Sequence, residues 1–145
     1  MSIIKENHLA PYVILHGRQA GQMLDLLFEL CDFGIGSLGR HRSGITNIKT
    51  LKNREYAARG IPFIYSEIDE DFENMPYIMK IPANEEAVDI KQILNFYNQL
   101  HITPLEIRNS IRHLSWNNQM KKVLDEMQKK DKINPNNNNI ANFAT

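Results

Sequence analysis

Lys52 and Glu55 are three residues apart in a stretch, LKNREYAARG, that reads as a short helix. That spacing puts both side chains on one helical face. A lysine in a first turn opposes the positive end of the helix dipole. A bound phosphate reverses the penalty, because the ammonium and the helix N–H groups then face one anion. Glu55 would then accept hydrogen bonds from sugar hydroxyls. The plainer alternative is a surface ion pair worth at most ~0.5 kcal/mol. Upstream, GIGSLG places Gly34, Gly36 and Gly39 around Ser37 at the end of a strand. Glycine weakens a strand interior, so it implies close backbone approach, by a ligand or by a packed neighbour. The loop that follows concentrates Arg40, His41, Arg42 and Lys49. Arginines at a strand's carboxyl end suit a diphosphate, although a solvated loop explains them as well. His16 and Gly17 end another apolar run, and a structural role for that histidine is the commoner one.

Other chemistries find less support. His8, His101 and His113 share no metal-ligand spacing, and Cys31 has no second cysteine, so no metal site is expected. No Ser-His-Asp arrangement has recognisable context. The acidic run 67–73 lacks the spacing of a calcium loop and reads as a solvated turn.

These residues must be positioned by the elements around them. Strands are expected at 12–15, 33–38, 62–66 and 77–81, and helices at 23–31 and 51–59. Gly60 and Pro62 punctuate the end of the second helix. In the helix 23–31 only Asp25 and Glu29 are polar, so it is expected to be mostly buried. Asn84 is the expected N-cap of the next helix, with Ile90, Ile93, Leu94, Tyr97 and Leu100 on its buried face. Thr103-Pro104-Leu105-Glu106 is a capping box opening a helix over 104–113. Ser115 caps a last helix with an apolar stripe of Trp116, Met120, Val123, Leu124 and Met127. From 132 to 145 the chain is Asn-rich and polar, and is expected to be a disordered tail. A strand-loop-helix-strand unit must cross over, which implies a parallel sheet with ligands at its carboxyl edge. The fold class is therefore α/β: a partial Rossmann-like parallel sheet of about four strands with a helical C-terminal cap.

The totals bound the function. The 145 residues carry zero formal net charge, which gives no global attraction to nucleic acid or to an anionic membrane. A single cysteine suits a cytoplasmic setting, and no run reaches the ~18 apolar residues of a transmembrane segment.

CDFGIGSLGRHRSG followed by LKNREYAARGIPFIYS resembles the C-terminal, donor-binding domain of retaining GT-B glycosyltransferases of the group-1, family-four type. The VILHG run before it and SWNNQMKKVLDEM after it extend the likeness over about residues 12–127, and LK-x-REY-x-x-x-G-x-P is its most specific part. The resemblance implies transfer of a sugar from a nucleotide-diphosphate donor to an acceptor, in polysaccharide or glycan synthesis, without cofactor or metal. It implies donor binding by Glu55 at the ribose, by Ser37, Gly39, Arg40 and Arg42 beside the sugar and phosphates, and by His16-Gly17 near the transferring sugar; Lys52, from its place at the helix start rather than from the resemblance, is expected to help neutralise the diphosphate. The family often has an earlier glutamate, seven residues intervening; here that position is Asn47, which carries no charge. No catalytic residue is assigned. On this reading residues 1–131 are a partial donor-binding domain that lacks the N-terminal acceptor domain, or a partner chain supplying it, and is inactive alone. The alternative is a non-catalytic nucleotide-sugar-binding or interaction fragment.

Overall fold

The structure, a computed structural model, describes residues 2–133. The chain divides after Asp32 into two compact units.

The first unit contains α1 (Ser2–Glu6) and α2 (Gly21–Glu29). Residues 12–15, expected as a strand, are irregular, and Tyr12, Ile14 and Leu15 are exposed. A strand exists through its ladder, and this run has none among the described residues. α2 begins two residues before the expected Met23. It was expected to be mostly buried, but none of its residues is, and Met23 and Leu26 remain open to solvent. A stretch of this length is too short to enclose a helix on its own.

The second unit is mixed α/β and is built on a three-stranded parallel sheet. Its strands are β1 (Gly34–Ile35), β2 (Phe63–Tyr65) and β3 (Ile78–Lys80), in that order. Gly34 is opposite Phe63, and Phe63 is opposite Ile78. The sequence predicted about four strands; three form among the described residues. The first crossover runs through α3 (Leu51–Arg59), whose bounds match expectation. The Thr50 hydroxyl accepts from Asn53 N, and Gly60 closes the helix at φ 78. A Cβ there would lie 2.5 Å from the Pro104 carbonyl oxygen, so both conformation and space require glycine. The second crossover, residues 66–77, contains no helix. Phe72 covers the sheet in its place, edge-on to Phe63 at 5.5 Å between centroids. Phe63, Tyr65, Phe72 and Tyr77 form the core with Ala57, Ile107 and Ile111.

α4 (Ile90–Asn98) starts later than expected. Its cap is Asp89, whose carboxylate accepts from Lys91 N and Gln92 N, while Asn84 only turns the chain by accepting from Glu86 N. One carboxylate oxygen serving two N–H groups is a stronger cap than a single amide bond. Ile93 is its buried residue; Ile90, Leu94 and Tyr97 are exposed, against expectation. α5 (Pro104–Ser110) opens with the predicted capping box, both halves made, and a 3₁₀ turn over Arg112–Leu114 follows where the helix was expected to continue. α6 spans Trp116–Ile133, and the Ser115 hydroxyl accepts from Asn118 N at 3.4 Å. Its apolar stripe is exposed throughout, Trp116 to 81%. The helix includes Lys132 and Ile133; the rest of the expected tail, 134–145, lies outside the described residues. No helix among the described residues is long and apolar enough to cross a membrane.

Candidate functional site

The carboxyl edge of the sheet begins where β1 ends. Gly36 N donates to Ile64 O at 2.7 Å, and a Cβ on Gly36 would lie 2.8 Å from that oxygen. A Cβ on Gly34 would meet the Tyr56 ring at 2.8 Å. Both glycines are therefore required by sheet and helix packing, which decides between the two explanations for them. Gly39 has open space around its Cα. The Ser37 carbonyl accepts from both the backbone N–H and the hydroxyl of Ser66, which fixes the strand end against β2. Arg40 N donates to Glu67 at 3.3 Å. The Arg40 side chain is exposed and makes no ion pair among the described residues.

Arg40–Ser43 is a 3₁₀ turn. Glu85 reaches it from the segment before α4, accepting from Arg42 Nε at 2.8 Å and again from its Nη2, with His41 Nε2 also at 2.8 Å. The Arg42 hydrogen bond, then that of His41, lowers the Glu85 carboxyl to about 2, and Glu85 in turn raises Arg42. Arg42 is thus neutralised by its own chain. His41 Nδ1 is buried with no partner.

The loop before α3 is pinned in turn. Asn47 bridges Ile68, and Ile48 N and Ile68 N donate to Ile68 O and Thr46 O. Lys49 lies 3.4 Å from both Glu70 and Asp71, and hydrogen bonding to Glu70, then the charge of Asp71, raises its pKa. Lys52 is exposed and without an ion-pair partner among the described residues. The expected surface pair of Lys52 with Glu55 does not form. Glu55 instead accepts from Arg59 Nε at 3.2 Å and Nη2 at 3.0 Å, one turn on. So β1, the loop and α3 supply Ser37, Gly39, Arg40, Arg42, Asn47, Lys52 and Glu55 from one crossover unit. His16 and Gly17 belong to the first unit, in the exposed stretch before α2, where Gly17 takes φ 67.

A buried polar cluster behind this edge was not anticipated. Asp69 is fully buried. It accepts from Asn53 Nδ2 at 3.2 Å and from Arg54 at 3.1 and 3.3 Å, and Arg54 also bonds Asp71. Beside it, Glu73 accepts from Tyr65 OH at 2.9 Å, from Asp69 N and from Lys80 Nζ at 2.8 Å. Burial pushes the Glu73 carboxyl up, but these donors, led by Lys80, outweigh it and leave it below the usual value. Burial, then Glu73, raises the Tyr65 hydroxyl. Lys80 also sits 4.3 Å over the Tyr65 ring. The acidic run therefore packs as a crossover rather than projecting as the solvated turn expected. Asn53 and Arg54, adjacent to Lys52, were the available signal: two long polar residues inside a helix whose neighbour strand is wholly apolar. Among the described residues no three His, Cys, Asp or Glu side chains are grouped to hold a metal ion. No family model, curated protein or solved structure matches this chain.

Proposed function

We propose that the chain is the donor-binding segment of a GT-B-type retaining glycosyltransferase, binding a nucleotide-diphosphate sugar at the carboxyl edge of its sheet. The observation that carries the reading is the β1–α3–β2 crossover. Its edge carries Gly39 and Arg40, and its helix opens with an unpaired Lys52. Ligands of parallel α/β sheets bind beyond the carboxyl ends of the strands. There a helix N-terminus and an uncompensated ammonium both favour a diphosphate leaving group without a metal ion. Glu55 would exchange its bond to Arg59 for the ribose hydroxyls. Its partner is one turn away and both side chains are partly open to solvent, so the exchange costs little. With Asn47 bridged to Ile68, the position where the family carries its earlier glutamate holds no charge, and donor binding rests on the remaining groups.

Transfer itself would need an acceptor domain or partner chain, because catalysis requires both substrates to be positioned together. The exposed apolar stripe of α6 favours a second reading, an interaction fragment that works through such a partner. A panel of UDP, GDP, ADP and CMP, titrated into the chain by calorimetry beside Glu55→Ala, tests the first reading. Selective binding by one nucleotide, weakened by about tenfold or more in the variant, is expected. Equal affinity in the variant would remove Glu55 from the site.

A further inference from the structure

Two cavities open side by side in the second unit, with Arg54 and Leu114 in the wall of each. The first, about 310 Å³, gathers Arg54, Arg108 and Arg112 around an apolar floor of Ala58, Ile111 and Leu114. The second, about 440 Å³, is bordered by Lys49, Arg54, Asp71, His113 and Lys122. Among the described residues Asp71 is the one carboxylate lining either cavity, and it already accepts from Arg54 and Lys49. Lys49 also pairs with Glu70 and Arg54 with the buried Asp69, so three carboxylates meet these two cations. Arg108, Arg112 and Lys122 are left: all are exposed, and none makes an ion pair or side-chain hydrogen bond among the described residues. The whole chain has zero formal net charge, so this excess is local. His113 Nδ1 lies 3.1 Å from the Ser110 carbonyl, which can only accept. The ring proton is therefore on Nδ1, and Nε2 is available to a hydroxyl donor.

We propose that this double cavity binds a small phosphorylated molecule with an apolar body and a second anionic group. The guanidinium forks of Arg108 and Arg112 match a phosphoryl group, which an ammonium serves only as a point charge. The apolar body rests on Ala58, Ile111 and Leu114, and the second anion faces Lys122. Both cavities fall in the size range of small-ligand sites. This site is separate from the proposed nucleotide edge. α3 turns Arg54 and Ala58, one turn apart, to the cavities, whereas Lys52 and Glu55 line neither.

Inorganic pyrophosphate titrated into the full chain, followed by amide chemical shifts and calorimetry, is the test. Saturable binding is expected, with shifts centred on residues 108–115 and 122. The pair Arg108→Gln and Arg112→Gln should weaken the binding those shifts report by about tenfold or more, and Lys91→Ala, on the exposed face of α4 and outside both cavity linings, should leave it unchanged. Circular dichroism checks the fold of each variant. Lys122→Ala, on the far wall, provides a second route if the double variant does not fold, and should weaken binding too. Absence of saturable binding at millimolar pyrophosphate would overturn the proposal. So would equal affinity in the folded double variant, or loss of binding in Lys91→Ala instead.

Discussion

Asp69 has no solvent access, and its carboxylate rests on Asn53 and Arg54. Removing one member of a buried pair leaves the other charge uncompensated, which typically costs ~3–5 kcal/mol. Arg54→Leu should therefore lower stability by about that much, and adding Asp69→Asn should recover part of it. Additive losses in denaturant melts would mean the two side chains do not act as a pair. Asp69 was not legible as a core residue because its neighbours Glu67, Glu70, Asp71 and Glu73 make the run look solvated. Burial there is set by Phe72 packing on Phe63, a contact no local pattern encodes. The carboxyls of Glu73, Glu85 and Glu106 all sit below the ordinary 4.5 in the folded chain, and Glu85 falls to about 2. A depressed folded pKa contributes stability that is complete above the unfolded value and is lost as pH falls through the folded one. Unfolding midpoints should therefore be flat just above pH 4.5 and decline from there toward pH 2. A midpoint that rises on acidification would contradict the assignment.

Among the elements, α3 was the most legible. Thr50, Gly60 and Pro62 mark its ends locally, and local punctuation does not depend on the rest of the fold. The capping box of α5 was readable for the same reason. The start of α4 was not, because Asn84 and Asp89 are both acceptable caps and the choice falls to whichever gains more N–H bonds. Gly60 shows how such punctuation and packing combine, since its φ of 78 coincides with the approach of Pro104. Gly60→Ala should cost ~2 kcal/mol or more, as left-handed strain is added to a contact that cannot open without moving α5. A loss near zero would mean that α3 and α5 separate easily.

At the scale of the molecule, the parallel α/β layer could be read from the order of apolar runs, but the number of strands could not. The run 12–15 has the composition of a strand and no ladder partner among the described residues, and pairing is a long-range property. Burial of the helical stripes was overestimated for a related reason. Periodicity says that a face is apolar, not that something covers it. Trp116 is the clearest case: as a core indole it would be worth ~3–5 kcal/mol. At 81% exposure, Trp116→Ala should change stability by no more than about 0.5 kcal/mol. A larger loss in the isolated chain would mean that the stripe is covered in solution.

The same scale holds the functional claim, that the carboxyl edge of the sheet receives a nucleotide diphosphate. Backbone chemical-shift mapping with the best-bound nucleotide of the panel tests it most directly. The account predicts perturbations at Ser37, Gly39, Arg40, Lys52 and Glu55, lost in Glu55→Ala. Perturbations confined to the Arg108–Arg112 cavities, or none in a folded chain, would contradict it.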